Sequence, residues 1–220
     1  ISQWGYDFRP SYLRLAEIRE KLPGVPVLAL TATATPQVAD DIQERLLFKE
    51  KNVLKQSFER KNLVYWVHLA EDKISYLKRL LKQQPGSAIV YVRSRKKTKE
   101  IATLLSQNGI SAGYYHAGLE GKEREIKQQQ WQSDEMRVIV STNAFGMGID
   151  KPDVRLVVHW EIPDSPEAYY QEAGRGGRDG KKAFAVLLYH PSDKMSLNQA
   201  YTVRFPEMEK IKEVYQALGH

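Results

Sequence analysis

Short apolar runs that alternate with amphipathic stretches make up most of this 220-residue sequence. In the first sixty residues, the run from Val25 to Leu30 is typical of a buried strand. It leads into a threonine-rich segment in which Thr35 is suited to cap a helix and Pro36 fits the first helical turn. The residues that this helix is expected to bury recur at four-residue spacing and are Val38, Ile42 and Leu46.

The pattern weakens and the charge density rises between Glu50 and Arg60, which indicates a junction between two domains. After this junction the alternation resumes. Strands are predicted at residues 63–69, 88–92, 110–115, 137–141, 155–159 and 183–189. Helices are predicted at residues 72–83, 96–107, 120–131 and 165–175, followed by two closing helices, the second at 206–218.

Strands that alternate with helices predict an α/β fold, in which a parallel sheet is covered by helices on both faces. In such sheets ligands bind in the loops that follow the carboxyl ends of the strands. Here those loops are residues 31–35, 93–95, 116–118 and 142–150. The residues with chemical potential are concentrated in them or close to them.

The composition is that of a soluble globular protein, with 42% hydrophobic and 27% charged residues. No apolar run approaches the roughly 18 residues that span a bilayer, so we expect no membrane partner. The sequence has no cysteine, which excludes disulfides and thiolate zinc sites and fits a cytoplasmic protein. A net charge of +6 favours anionic partners, although a domain reaches such a charge without binding nucleic acid.

Three polar side chains near residue 175 are candidates for binding a phosphate chain. Gln171, Arg175 and Arg178 are spaced by four and three residues, which predicts that they share one helical face. Arginine stays charged and stabilises charge that spreads over phosphoryl oxygens. The alternative is an exposed helix end with ordinary ion pairs, although the three neighbouring glycines are hard to explain by helix stability.

The stretch from Ser141 to Pro152 follows a strand and contains Gly146 and Gly148, which let the backbone approach a ligand closely. Asp150 closes it with a carboxylate suited to a ribose hydroxyl or to an arginine. The alternative is a loop that simply turns the chain, with Asp150 capping a local group.

Three further segments are weaker candidates. Thr31 to Thr35 places hydroxyls and free amides at a helix start, where phosphates bind, although threonine caps are common. Ser94 lies within a basic cluster and is a candidate to contact a phosphate. The alternative is that the basic residues simply form a solvated helix face. The cluster comprises Arg93, Arg95, Lys96, Lys97 and Lys99.

The first ten residues contain Trp4, Tyr6, Phe8 and Arg9, a combination that stacks on unpaired bases or forms a small satellite core. None of the five histidines has spacing typical of a metal site, and His116 and His159 are expected to be structural. No stretch has the pattern of a P-loop, and no Asp-Glu pair follows a strand to hold magnesium.

Together these stretches resemble the RecQ family of superfamily 2 helicases over nearly the whole chain. Residues 1–10 resemble its aromatic-rich loop, Leu30 to Thr35 its motif III, and Ala88 to Arg95 its motif IV. Val138 to Pro152 resemble motif V, and Gln171 to Gly180 motif VI. Tyr6 and Gly176 depart from the family, which usually has histidine and alanine there.

The resemblance implies an ATP-dependent enzyme that moves 3′ to 5′ on single-stranded or partly duplex DNA. Its fold would be the RecA-like, P-loop NTPase type of α/β fold. Arg178 would be the arginine finger and Arg175 its neighbour, while Gln171, Gly148 and Asp150 would line the nucleotide cleft. The other roles are DNA binding, by Trp4, Phe8, Arg9, Ser94 and Thr142, and coupling, by Thr31 and Thr33.

The resemblance also implies the domain organisation. Residues 1–58 would be the last part of a first RecA-like domain, residues 59–200 a complete second one, and residues 201–220 the helical start of a following region. The intact enzyme would use ATP and Mg²⁺. The P-loop and the Asp-Glu-Ala-His carboxylates that bind them would lie in a missing amino-terminal motor segment. We therefore expect a fragment that is inactive alone and binds neither cofactor tightly. The alternative is a non-catalytic RecA-like module that binds single-stranded DNA or supplies an arginine in trans.

Overall fold

The computed structural model describes residues 14–31, 34–57, 59–146 and 149–218. The chain divides into two units, Ile1–Glu59 and Arg60–His220. Each unit is described by itself.

Among the residues of the first unit that the structure describes there are two helices, α1 (Glu17–Lys21) and α2 (Pro36–Arg45). The hydroxyl of Thr35 accepts from the backbone N–H of Val38 at 3.3 Å, and Pro36 occupies the first turn of α2. Both features were predicted, since an accepting side chain satisfies one of the free N–H groups at a helix start. Of the three residues that were expected to be buried, Leu46, directly after α2, is buried, whereas Val38 and Ile42 are only partly buried.

The strand predicted from Val25 to Leu30 is wrong. The segment has no regular structure, and the side chains of Leu28 and Leu30 are 77% and 84% exposed. A strand is stable only when its backbone N–H and C=O groups pair with a neighbour. No other strand is present among the described residues of this unit, so the apolar run has nothing to pair with.

The second unit alternates strands and helices as predicted. Its first half contains β1 (Leu63–Leu69), α3 (Lys73–Gln83), β2 (Ser87–Tyr91), α4 (Arg95–Gln107), β3 (Ala112–Tyr115) and α5 (Gly121–Gln132). Its second half contains β4 (Val138–Ser141), β5 (Val154–His159), α6 (Pro166–Ala173), β6 (Ala183–Tyr189), α7 (Pro191–Arg204) and α8 (Met208–Leu218).

The six strands form one sheet in the order β1-β6-β5-β2-β4-β3, and every pairing is parallel. This confirms the predicted parallel sheet. Strands β2 and β4 are buried along their whole length, because helices cover both faces. On one face α3 and α4 contribute Leu77, Leu81 and Leu105, and on the other Trp131 of α5 packs beside Phe145.

The two closing helices α7 and α8 are present, and none of their described residues is buried. Across the part of the chain that the structure describes, no helix is long and apolar enough to cross a membrane.

Candidate functional site

The sheet has a topological switch point between its two central strands. Strands β2 and β5 are neighbours, but the chain leaves β2 for β3 at one edge and leaves β5 for β6 on the other side. All carboxyl ends lie at the same end of a parallel sheet. The crevice beyond β2 and β5 is therefore the place where this class of fold binds ligands.

The loop that follows β4 is anchored beside this crevice at Phe145. The ring of Phe145 is 1% exposed and lies between Tyr115 and Trp131, at centroid distances of 4.8 and 5.2 Å. The phenol of Tyr91, at the end of β2, donates to the carbonyl of Phe145 at 2.9 Å. Burial raises the pKa of Tyr91 well above its ordinary value, which keeps the phenol protonated as a donor.

The segment after α6, residues 174–180, is here called the arginine turn, since it carries Arg175 and Arg178. Helix α6 ends at Ala173, so these arginines do not continue its face, and the predicted shared helical face with Gln171 is wrong. Gly177, which lies between the two arginines, has a φ of +59°, so helical geometry does not continue from Arg175 to Arg178. Gln171 itself lies exposed in the last turn of α6.

Backbone contacts fix the arginine turn against the sheet. The N–H of Gly177 donates to the carbonyl of Val154 at 2.8 Å. The Gly177 carbonyl in turn accepts from Arg60 at 2.8 Å and from the amide of Asn62 at 2.7 Å. Neither Arg60 nor Asn62 was identified from the sequence, because their partners lie more than a hundred residues further along the chain.

Both arginines contact the loop after β4. Arg175 donates from Nη1 to the carbonyl of Gly146 at 2.7 Å. Arg178 donates from Nη1 to the carbonyl of Ile149 at 3.2 Å and to the carboxylate of Asp150 at 2.8 Å. The structure therefore brings together three of the predicted site residues, Arg175, Arg178 and Asp150, and Asp150 holds an arginine.

The approach of Arg175 to Gly146 requires glycine at position 146. A Cβ there would lie 2.2 Å from Nη2 of Arg175 and 2.7 Å from its Cζ. The Nε atom of Arg175 is buried and has no hydrogen-bond partner. A buried donor without a partner costs free energy, and Nε can donate to a ligand only if the packing around it opens.

The other predicted site residues are placed as follows. Ser94 caps α4, where its hydroxyl accepts from the N–H of Lys97 at 3.5 Å, and the residue is exposed. Thr142 is 8% exposed, and its hydroxyl accepts from the N–H of Ala144 at 3.4 Å. Thr31 lies exposed in the first unit. The remaining predicted site residues lie outside the described part of the chain: Trp4, Phe8, Arg9, Thr33 and Gly148.

Part of the basic cluster around Ser94 is neutralised by carboxylates. Arg93 forms an ion pair with Asp164, and Lys97 forms one with Glu161. These carboxylates belong to a cavity of about 270 Å³ at the switch point, which Tyr91, His159 and Glu172 also line. The described residues contain no group of three or more acidic, histidine or cysteine side chains suited to a metal ion.

The site includes one polar pair that sequence reasoning missed. His159 was predicted to be structural, and its side chain is 1% exposed, but its Nε2 lies 2.9 Å from the carboxylate of Glu172. Its ring stacks on that of Tyr91 at a centroid distance of 5.5 Å. The only signal in the sequence is that both Tyr91 and His159 end apolar strands, which does not identify Glu172.

Residues 72–180 match the family described as the helicase conserved C-terminal domain. The chain is 44% identical over 204 residues to the RecQ-like DNA helicase blm-1 of Caenorhabditis elegans, which covers 90% of this chain and 21% of that protein. It is 45% identical over 197 residues to the ATP-dependent DNA helicase RecQ of Bacillus subtilis, which covers 89% of this chain and 33% of that protein. The chain thus spans about a fifth to a third of the length of these relatives.

Among solved structures, S. cerevisiae Dbp5 bound to RNA and ADP BeF3 matches with a TM-score of 0.69 at 23% identity. The match covers 92% of this chain and 54% of that one. At this identity the likeness concerns the fold alone, and it supports a RecA-like assignment for the parallel sheet.

Proposed function

The chain belongs to the RecQ family of superfamily 2 helicases, and from that premise we propose that it is part of an ATP-dependent 3′–5′ DNA helicase. Residues 59–200 would form the second RecA-like motor domain. Residues 1–58 would complete a first one, and residues 201–220 would begin a following region. The division of the chain between Glu59 and Arg60 supports this organisation.

The observation that carries the proposal is the convergence of Arg175 and Arg178 on the loop after β4. Two guanidiniums lie within hydrogen-bond distance of Gly146, Ile149 and Asp150, beside the carboxyl ends of the strands. Planar cationic forks at this position suit the oxygens of a phosphate chain, whose charge they stabilise during phosphoryl transfer. On this proposal Arg178 is the arginine finger and Arg175 its neighbour.

The described residues fit the phosphates of ATP better than its metal. The guanidinium groups of Arg175 and Arg178 supply donors, Gln171 lies four residues before Arg175, and the carboxylate of Asp150 is 2.8 Å from Nη1 of Arg178. None of the described residues forms a cluster suited to Mg²⁺. We therefore propose that a separate amino-terminal motor segment holds the metal and the β and γ phosphates. When bound, ATP supplies the free energy of hydrolysis.

The proposed DNA contacts differ in how accessible they are. Ser94 is exposed at the start of α4, where free N–H groups favour phosphates. Both hydroxyls accept a local backbone hydrogen bond, but Thr142 is buried whereas Ser94 is exposed, so Ser94 is the stronger of the two phosphate candidates on this domain. Trp4, Phe8, Arg9, Thr31 and Thr33 would sense the strand and couple its binding to hydrolysis.

The test is ATPase activity of this chain, with and without a single-stranded oligonucleotide, beside fluorescence anisotropy of the same oligonucleotide. The proposal expects no turnover alone, with weak and salt-sensitive DNA binding. Turnover should appear when a polypeptide with the P-loop and Asp-Glu-Ala-His segment of a RecQ relative is added. It should then be lost in Arg178→Ala and retained in the control Arg79→Ala, a change on α3 in the layer away from the arginine turn.

Two outcomes would contradict the proposal. Robust turnover by the chain alone would mean that the nucleotide site lies elsewhere. DNA binding without turnover, even after the oligonucleotide and the polypeptide with the P-loop segment are added, would favour the alternative. That alternative is a non-catalytic RecA-like module that binds single-stranded DNA.

A further inference from the structure

Helix α6, which leads into the arginine turn, packs on the sheet through a small apolar surface. Of its eight residues only Ala173 is fully buried, where it packs against Leu63, Ala183 and Ala185, and the partly buried Tyr169 lies against the same cluster. Burial of an alanine methyl removes little apolar area from water. The position of α6 therefore depends on its polar contacts as well as on these apolar ones.

The main polar contact joins Glu172 of α6 to His159 of β5. The His159 Nε2 and the Glu172 Oε2 are 2.9 Å apart, and both side chains are largely buried, at 1% and 14% exposure. An ionised carboxylate only accepts, so Nε2 is the nitrogen that carries the proton. A hydrogen bond to a charged acceptor in a buried setting is among the stronger ones in proteins.

Two aromatic rings fix the orientation of the His159 ring. Tyr91 stacks on it at 5.5 Å with an interplanar angle of 23°, and Tyr169 of α6 lies against it at 4.8 Å and 57°. Rotation of the imidazole would displace both rings. The direction in which Nε2 points is therefore set by β2, β5 and α6 together.

The same residues lead back to the arginines by a second route. The Tyr91 phenol holds the carbonyl of Phe145, and the next carbonyl, that of Gly146, accepts from Arg175. Arg175 lies three residues after Glu172. The contacts thus form a closed circuit that runs from His159 through Glu172 to Arg175 and back through the loop and Tyr91.

We propose that His159 and Glu172 are positioning residues that hold the arginine turn in the geometry that Arg175 and Arg178 need to meet a nucleotide. Neither residue touches the reacting atoms. The pair holds the last turn of α6 in place. The last turn of α6 in turn sets the backbone position from which the side chains of Arg175 and Arg178 extend. The step from geometry to hydrolysis rests on the proposed function, but the positioning itself does not.

The first measurement is amide hydrogen exchange in the arginine turn of the 220-residue chain. The N–H groups of Gly177 and Asp179 are suitable probes, since they donate to the carbonyls of Val154 and Pro152 at 2.8 and 3.0 Å. Glu172→Ala is expected to speed their exchange by about 10- to 100-fold, the range expected when a buried bond to a charged group is lost. Glu172→Gln should restore much of the protection, because its amide oxygen still accepts from Nε2.

The matched control is Glu167→Ala, which removes a carboxylate from the first turn of the same helix. It should change exchange at Gly177 and Asp179 by less than about twofold. The amides of Val90 and Val158, in the buried strands β2 and β5, report on the whole domain. They should stay protected in Glu172→Ala, because the opening is local.

Two results would overturn the inference: equal exchange in the variants at 172 and 167, or acceleration of the core amides by the same factor as the turn.

A second experiment measures turnover reconstituted with the added motor segment, where Glu172→Ala should lower kcat and leave oligonucleotide affinity unchanged. If exchange rises locally while an arginine-dependent turnover is unaffected, the pair does not position catalytic groups and the inference fails. If no arginine-dependent turnover can be reconstituted, the proposed function fails, and the exchange arm still decides whether the pair positions the turn.

Discussion

Gly177→Ala should destabilise the second unit far more than Gly180→Ala, although both glycines belong to the arginine turn and both have positive φ. At Gly180 an added Cβ meets nothing within 4 Å. At Gly177 it would lie 2.6 Å from the carbonyl oxygen of Lys181 and 2.7 Å from the amide nitrogen of Asn62. The pair therefore separates the cost of backbone conformation from the cost of crowding.

The magnitudes follow from these contacts. A non-glycine residue in the left-handed region costs about 1–2 kcal/mol, which applies to both variants. In Gly177→Ala the crowded Asn62 must also move, and its amide donates to the carbonyls of Gly177 and Lys181 at 2.7 and 2.9 Å. Loss of two such bonds costs about 1–3 kcal/mol. We expect roughly 1–2 kcal/mol for Gly180→Ala and 2–5 kcal/mol for Gly177→Ala.

The assay is urea unfolding followed by far-ultraviolet circular dichroism, with the slope m compared among the variants. Any change in the entropy of the unfolded chain on replacing glycine by alanine is shared, so it cancels in the difference between the two variants. If the two variants lie within about 0.5 kcal/mol of each other at equal m, the close approach of Asn62 to the turn does not contribute as argued.

Three further predictions concern other parts of the second unit. Trp131→Ala should cost about 3–5 kcal/mol in urea unfolding, because the side chain is 0% exposed and leaves a cavity between α5 and the sheet; a smaller loss would mean that the layer collapses around it. The hydrogen bond from Arg155 lowers the pKa of Asp179 below its ordinary value of 3.8. The ionised carboxylate therefore stabilises the fold at pH values above 3.8, and this stabilisation is lost as the pH falls through the lowered pKa. The difference in Tm between the wild type and Asp179→Asn should therefore be present at pH 7, begin to shrink as the pH falls below 3.8 and disappear in calorimetric scans below the lowered pKa, while a constant difference would refute the assignment. Asp150→Asn should cost less than about 1 kcal/mol in the same urea assay, since the side chains of Arg178 and Asp150 are 37% and 82% exposed, and a larger loss would show that this pair is structural.

The second unit was predictable from the sequence because its burial patterns are local. The run from Ala88 to Val92 is apolar at nearly every position, which indicates a strand buried on both faces, and β2 is such a strand. Leu77 and Leu81 repeat at helical spacing and both are fully buried. In each case the neighbouring residues along the chain contain the information that decides the element.

The failures occurred where the outcome depends on distant residues. The run from Val25 to Leu30 has the composition of a strand, but composition does not supply the partner that a strand requires. The order of strands was not predicted either, because it depends on which way each crossover runs. At the site, His159 of β5 contacts Glu172 of α6, which lies 13 residues further along the chain. A short sequence pattern does not predict a contact at that separation.

The two arginines differ in the existing contacts that each would lose on binding a phosphate, and this difference bears on the proposed function. Arg175 is partly buried and bonds to a neutral carbonyl through Nη1, while its Nε has no partner. Its Nε is buried, and a phosphate that took Nη1 would release the carbonyl of Gly146, so Arg175 gives up a contact with the loop whenever it turns to a ligand. Arg178 instead faces a carboxylate in a largely exposed pair, and such a pair contributes about 0–1 kcal/mol. A polyphosphate with several negative charges can therefore take Arg178 from Asp150 at small cost. On the proposed function, Arg178 would be the group that moves to the transferring phosphoryl group, and Arg175 would stay to hold the loop.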